Sequence, residues 1–292
     1  MRVRNYADVV DRILKALRKS EHLKIWHQTH IPSNSTSIKG SPYPLYCLHY
    51  TAKQNSSSLI YVSAGIHGDE PAGVECAIRL IELLADGEQH NFCTFPLHAY
   101  NWLISPCDNP YGYERNAREN AMGLDLNRMF ETPNRCPETA FITESLQRKQ
   151  CVDMQKPPSQ NTMGRRQRIE LALDLHEDSD SDGFYLWERR TSQCCPIGNA
   201  VVKNVNELCA INREPLIENH RNENGVITLL DKVTTKGWTR GRYLAEQVNT
   251  RCLILETPTQ LDWETRIAAH LMAILTAVKY TLNHHNIVSN IS

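Results

Sequence analysis

Four short stretches hold the side chains that could do chemistry. The first is "SAGIHGDEPAG", Ser63 to Gly73, where the apolar run Ser58 to Val62 is followed at once by His67, Asp69 and Glu70. An imidazole and a carboxylate at this spacing are half of a metal site, or simply the polar residues of a solvated turn. Spacing alone does not decide, because the same His-x-x-Glu pattern recurs at His220 and Glu223. Position separates them: His67 lies just past the carboxyl end of a strand-like run, where open α/β sheets gather their ligand sites. His220 sits in the polar run "IENHRNENG" and reads as surface loop.

The second stretch, "LALDLHED", ends another apolar run with His176. A catalytic zinc takes three protein ligands and leaves a fourth position to water, which makes His176 the candidate third ligand. Taken alone, it reads more readily as a hydrogen-bonded histidine at a sheet edge. The third is "CLILE", closed by Glu256. A carboxylate in a buried strand is costly unless it is paired or used, so Glu256 is either a general base or half of an ion pair with an arginine. The fourth, Asn109 to Phe130, collects three arginines and several amides in "NPYGYERNARENAMGLDLNRMF". Such residues cap helices and bridge turns; equally, one guanidinium can polarise a scissile carbonyl while another grips a carboxylate in a bidentate fork.

The elements that must position these residues follow from periodicity and punctuation. A leading helix is expected over about Tyr6 to Arg18, then a polar Ser/Pro-rich stretch from His30 to Pro44. Strand composition marks 45–52 and 58–65, and 70–87 repeats apolar residues at helical spacing before a glycine stop. A strand candidate at 92–101 precedes a long polar segment, about Pro106 to Arg135, whose length marks it as a functional loop. Strands at 169–178, 183–189 and 251–258, with helices at 197–211 and 262–285, complete the pattern. Strands alternating with helices indicate an α/β sheet covered on both faces.

Composition narrows the function classes. At 292 residues, 41% hydrophobic and 22% charged, the chain can bury a large core and shows no compositional sign of disorder. Lys and Arg number 32 against 33 Asp and Glu, so the formal charge of -1 provides no electrostatic reason for binding nucleic acid or an anionic membrane. The first nineteen residues lack the uninterrupted apolar core and small-residue cleavage site of a signal peptide. The most apolar later stretch, Ile267 to Leu282, is broken by His270 and Lys279 and is too short and polar for a membrane span. Ten cysteines are scattered without a Cys-x-x-Cys pair, which suits a reduced, cytoplasmic setting, or export without a cleaved signal peptide. No internal repeat and no Gly-rich phosphate loop is present.

Together the segments resemble the zinc carboxypeptidases of the carboxypeptidase A type, and their relatives the succinylglutamate desuccinylases and aspartoacylases. "GIHGDE", an Asn-Pro-x-Gly segment, an Arg before "GLDLNR", then "DLH" and a strand-end Glu follow in the family's order from about Leu45 to His284. "DLHEDSDSDGFYLWE" looks more like a bacterial branch than the digestive enzymes. The resemblance implies one domain over residues 1–292, with 1–40 as a lead-in helix and polar stretch, built on a central mixed β-sheet flanked by helices. It implies one Zn2+ per chain held by His67, Glu70 and His176, Arg118 stabilising the oxyanion, Asn127 and Arg128 holding the substrate's terminal carboxylate, and Glu256 as general base or acid. It departs from the family at "NPYG", where Asn-Pro-Asp-Gly is usual. No tyrosine matches the family's mobile capping tyrosine except, by spacing alone, Tyr243.

The implied activity is hydrolysis of the C-terminal peptide bond of peptides by metal-activated water. The alternative is a zinc-dependent N-acyl amino acid deacylase, which would use the same residues on another substrate with a free carboxylate. A catalytically silent binding protein is disfavoured, since no expected ligand is lost. The acids Glu177, Asp178, Asp180 and Asp182 read first as a solvated turn with Asp182-Gly183 as a hairpin signal. Their second reading is an entrance that favours a C-terminal Lys or Arg.

Overall fold

Every residue of Leu59–Ala64 is buried, as a strand covered on both faces requires. In the computed structural model, which describes residues 4–31, 42–53, 56, 58–87, 96–132, 136–151, 168–190, 195–230 and 237–289, that run lies in the middle of an eight-stranded sheet. In chain order the strands are β1 (Leu23–Ile31), β2 (Tyr43–Tyr50), β3 (Leu59–Ala64), β4 (Asn101–Ser105), β5 (Ile169–Asp178), β6 (Tyr185–Arg190), β7 (Leu216–Ile217), β8 (His220–Arg221), β9 (Val226–Leu230) and β10 (Arg251–Pro258). The helices are α1 (Tyr6–Lys19), α2 (Pro71–Asp86), α3 (Pro110–Arg115), α4 (Pro137–Cys151), α5 (Gly198–Val205), α6 (Arg240–Glu246) and α7 (Trp263–Ser289). The sheet order is β1-β2-β4-β3-β5-β10-β6-β9, with β7 and β8 forming a separate ribbon. β4, β3, β5 and β10 run parallel, whereas β2 and β6 run against them. The expected α/β domain with a central mixed sheet flanked by helices is what the chain builds.

Strand periodicity decides which side chains meet. In β5, Leu171, Leu173 and Leu175 turn to one face and pack in a core with α1, α2, α5 and α7. Ala172 turns to the other, packed with Phe141 and Leu146 of α4 and with Tyr243 and Leu244 of α6. Asp174 and His176 share that second face, so fully buried polar residues occupy it toward the carboxyl end of the strand. Parallel strands bring the carboxyl ends of β3, β4, β5 and β10 to one edge, and every stretch singled out for its chemistry arrives there.

Several expectations need correction. The strand expected at 92–101 begins only at Asn101; Leu97–Ala99 form a 3-10 turn after Pro96, which has no N–H for a ladder, and 92–95 lie outside the described residues. The Ser/Pro-rich stretch lies mostly outside them too, at 32–41. β5 and β6 are not a hairpin: β10 is inserted between them, parallel to β5 and antiparallel to β6. β1, α4 and α6 escaped sequence analysis because β1 breaks its alternation at a register shift between Ile25 and His27, α4 has no apolar stripe, and α6 is barely two turns long. Among the described residues no helix is long and apolar enough to cross a membrane.

Candidate metal centre and active site

The loop after β3 is shaped by glycines. Gly65 takes a left-handed φ of 65°, and its carbonyl and that of Ala64 accept the amides of Asn109 and Asp108, which follow β4. Gly68 packs directly on Gly112: a Cβ on Gly68 would lie 2.0 Å from the Gly112 carbonyl carbon. Two segments far apart in sequence are thereby pressed together behind His67. Glu70 occupies the N-cap of α2 but caps nothing with its side chain, because its carboxylate is engaged elsewhere. Oε1 lies 2.6 Å from Nδ1 of His67 and Oε2 lies 2.8 Å from Nδ1 of His176. The capping task falls instead to Glu177, whose Oε2 accepts the Ala72 amide at 2.7 Å.

Ligand atoms of His67, Glu70 and His176 all lie within 4.8 Å of one another, and all three residues are buried. Behind them, Nε2 of His67 lies 3.3 Å from Asp125 Oδ1 and Nε2 of His176 lies 3.3 Å from Asp174 Oδ2. Each contact is near enough for charge to be felt, though neither is aligned as a hydrogen bond. Burial pushes the Glu70 carboxyl up, but the two imidazoles outweigh it and hold it down at about 2. Burial likewise opposes a charged His176, yet Asp174 and Glu70 raise it well above the usual histidine range. Two imidazole nitrogens and a carboxylate converging on one point, each ring backed by an acid, are a donor set that fits zinc.

The long polar segment is not structureless; its side chains replace a backbone ladder. Asn109 caps α3 by accepting the Gly112 amide at 2.9 Å and donates through Nδ2 to the Arg118 carbonyl at 3.2 Å. Asn120 Oδ1 accepts the amides of Met122 and Leu124. Asp125 holds Arg118 through Nε and Nη2 at 3.2 and 3.1 Å, which leaves Nη1 3.3 Å from His67 Nδ1, against the ligand cluster. Asn127 Oδ1 accepts the Arg240 amide at 2.8 Å, leaving its Nδ2 to donate, and Arg128 is exposed beside it.

Glu256 is the register partner of both His176 on β5 and Tyr185 on β6, so all three share a face. Burial first, then the neighbouring carboxylates Glu70 and Asp178, raise its carboxyl well above the usual range against the pull of His176. Glu177, the next residue after His176, points to the opposite face of β5 and is tied to Arg266 at 2.6 Å. The remaining acids of that cluster are divided: Asp178 accepts the Tyr185 hydroxyl at 2.8 Å, while Asp180 and Asp182 are exposed. Tyr243 lies in the core, 7% exposed, with its ring 5.7 Å from that of Phe130, and does not line the cavity. The spacing that nominated it misleads; Tyr185 is the tyrosine that lines the cavity. His220 is not plain surface loop either. It forms β8 at the cavity rim, its ring 5.0 Å from that of Trp187, apart from the ligand group.

His67, Glu70, Arg118, Asn127, Arg128, His176 and Glu256 thus line one cavity of about 620 Å³. Arg240, which no local motif marks, is fully buried between Asp108 and Asp174 and donates through Nε to Asp174 at 3.0 Å. Nor does a local motif mark Arg189, 5% exposed on the cavity wall. A signal existed for Asp174: an acid inside "LALDL" invites the question asked of Glu256.

The family model for zinc carboxypeptidases matches residues 18–225, a span that holds His67, Glu70, Arg118, Asn127, Arg128 and His176 but neither Arg240 nor Glu256. No curated protein matches the chain by sequence. Among solved structures, candidate metallopeptidases from Shewanella amazonensis (19% identity, 94% of this chain and 92% of that one, TM-score 0.69) and Shewanella denitrificans (16%, 95% and 90%, 0.70) share the fold. So does a Pseudomonas aeruginosa metallo-carboxypeptidase in complex with (2-guanidinoethylmercapto)succinic acid, at 17% identity over 93% of this chain and 66% of that one, TM-score 0.62. With the family model covering most of the chain and a His/Glu/His cluster at the edge where its strands end, the chain belongs to the zinc carboxypeptidases, a family of metallopeptidases.

Proposed function

We propose that the protein is a zinc-dependent carboxypeptidase that removes the C-terminal residue of peptides, with one metal ion per chain held by His67, Glu70 and His176. The observation that carries this reading is that Glu256, the ligand trio and the Asn127–Arg128 pair open onto the same cavity. Zinc bound there supplies Lewis acidity, polarising a carbonyl and acidifying water. Arg128 and the free Nδ2 of Asn127 receive the terminal carboxylate and set the scissile bond in register. Arg118, clamped by Asp125, offers Nη1 to the carbonyl oxygen as negative charge develops on it. Glu256 takes the proton of the attacking water and delivers it to the leaving nitrogen, a task that suits a carboxyl raised above the usual range by burial and by Glu70 and Asp178.

The test combines metal analysis with a substrate screen. About one zinc per chain is expected, lost in His67→Ala, Glu70→Ala and His176→Ala but retained in His220→Ala. Acylated dipeptides should be cut and N-acyl amino acids turned over slowly. Turnover confined to N-acyl amino acids would make the protein a deacylase and overturn the peptidase reading.

A further inference from the structure

The two buried arginines of the site region differ in a way that points to substrate choice. Arg240 has its charge answered by Asp108 and Asp174. Arg189 is buried almost as deeply, yet no hydrogen bond or ion pair reaches its guanidinium among the described residues. The nearest acid felt by its charge, Glu246, is bonded to Arg242 at 2.8 Å. Around its stem lie Cys252 and Leu229, its register partners on β10 and β9, and the bare backbone of Gly241, where a Cβ would sit 3.7 Å from Arg189 Cδ. Burial lowers its pKa from the usual arginine value. A cation largely removed from bulk water without a partner is costly, and this one opens only onto the cavity, where a ligand can complete it.

Its place in the cavity says what. Along β10, Glu256 faces His176 and Tyr185, Ile254 faces Trp187, and Cys252 faces Arg189, so Arg189 lies below the reactive end on the same face. Asp178, opposite Pro258, lies beyond Glu256 in the other direction. Gly241 follows Arg240, whose amide is held by Asn127, so the residues proposed to hold the terminal carboxylate and Arg189 stand against the same wall. Two cationic points, Arg128 and Arg189, with an apolar passage of Ile254, Leu229 and Trp187, suit a residue that carries two carboxylates.

We propose that Arg189 selects substrates whose released residue bears a side-chain carboxylate, glutamate or aspartate, by pairing its guanidinium with that group. This rests on the reading that the cavity holds the C-terminal residue. It stands against the preference for Lys or Arg drawn from the acidic cluster, of which Asp178 and Asp180 line the same cavity, and substrates ending in Lys decide between the two.

The experiment compares kcat/KM for acylated dipeptides ending in Glu, Gln and Lys. The wild-type protein should favour Glu over Gln by about 10²-fold or more, because the neutral amide leaves the guanidinium unanswered. Arg189→Gln should bring that ratio to about one, chiefly through KM, and Arg189→Glu should turn the preference to Lys. Zinc content and melting temperature report whether each variant is folded. Equal rates on Glu and Gln in the wild type, or an undiminished ratio in folded Arg189→Gln, would overturn the proposal. If a variant does not fold, wild-type calorimetry with free L-glutamate and L-glutamine decides: tighter glutamate binding supports the role of Arg189, and equal binding refutes it. If no peptide or N-acyl amino acid is turned over, the peptidase reading fails separately, and the same calorimetric comparison still judges Arg189.

Discussion

Three glutamates near the metal centre have one chemistry and three tasks, divided by what each carboxylate touches. Glu70 is held between two imidazoles, Glu177 between Arg266 and the start of α2, and Glu256 shares its face with His176 and the cavity. Glu256→Gln should therefore keep its zinc and lose at least about 10²-fold in kcat, the scale of a positioned general base. Near-normal turnover would place the base elsewhere. Glu177→Gln should chiefly cost stability, about 1–3 kcal/mol, because a buried amide and a guanidinium lose their anion. Chemical denaturation read beside kcat separates the two glutamates. At the clamp, Arg128→Ala should raise KM for substrates with a free carboxylate, whereas matched amide-capped substrates should suffer little further loss. An equal loss on both would remove Arg128 from that role.

Among elements, packing sets position and ion pairs trim it. α1 buries Tyr6, Val9, Ile13 and Ala16 on the sheet and α2, and each large apolar side chain contributes about 1.5–3 kcal/mol. Arg12 adds a clip, reaching Glu75 at 2.6 Å and Glu82 at 2.8 Å on α2. Partly exposed pairs of this kind contribute about 1 kcal/mol or less each, so Arg12→Met should cost roughly 1–2 kcal/mol without detaching the helix. Burial pushes the Glu75 carboxyl up, but Arg12 and Arg79 outweigh it and hold it below its usual value. Its contribution is thus complete above the ordinary carboxylate range and is lost as pH falls through the lowered folded value. The stability gap between wild type and Arg12→Met should narrow in acid; a gap that widens there would contradict the assignment. The contact of Gly68 on Gly112 is less forgiving, since backbone meets backbone. Gly68→Ala should destabilise by at least the 1–3 kcal/mol typical of overpacking and weaken zinc retention through His67, as melting temperature and metal content would show.

At the scale of the whole molecule, Arg240 ties distant parts of the chain into one site. It joins the start of α6 to Asp108 after β4, to Asp174 in β5 and, through its amide, to Asn127 in the long loop. Burial raises the Asp108 carboxyl to about 6 even beside this cation, whereas Arg240 and His176 overcome burial at Asp174 and hold it below the usual range. Breaking such a triad strands two buried acids, so Arg240→Leu should cost about 3–5 kcal/mol in denaturant unfolding. Because Asp174 backs His176, zinc should be held more weakly as well. A loss under about 1 kcal/mol would mean that the acids find other partners or protonate without penalty.

How much of this was legible beforehand depended on range. α1, α2, β5 and β10 fall within a residue or two of where periodicity and punctuation put them, because a local repeat and a local stop define each one. The chemistry at their ends was legible in part for the same reason: His67, His176 and Glu256 each follow an apolar run, although His176 taken alone reads as a hydrogen-bonded histidine until the neighbouring motifs are added. The sequence by itself therefore determined the α/β class, and its ordered motifs pointed to side chains that meet where the strands end. Tertiary structure alone decided the rest. The insertion of β10 between β5 and β6 removed the expected hairpin and set Glu256 opposite His176. The burial of Tyr243 beside Phe130 removed it from the cavity lining, and among the described residues one buried arginine received two acids while another received none. These outcomes depend on which strands become neighbours and which face each side chain shares, and that pairing is made between residues far apart in the chain, where no local period records it.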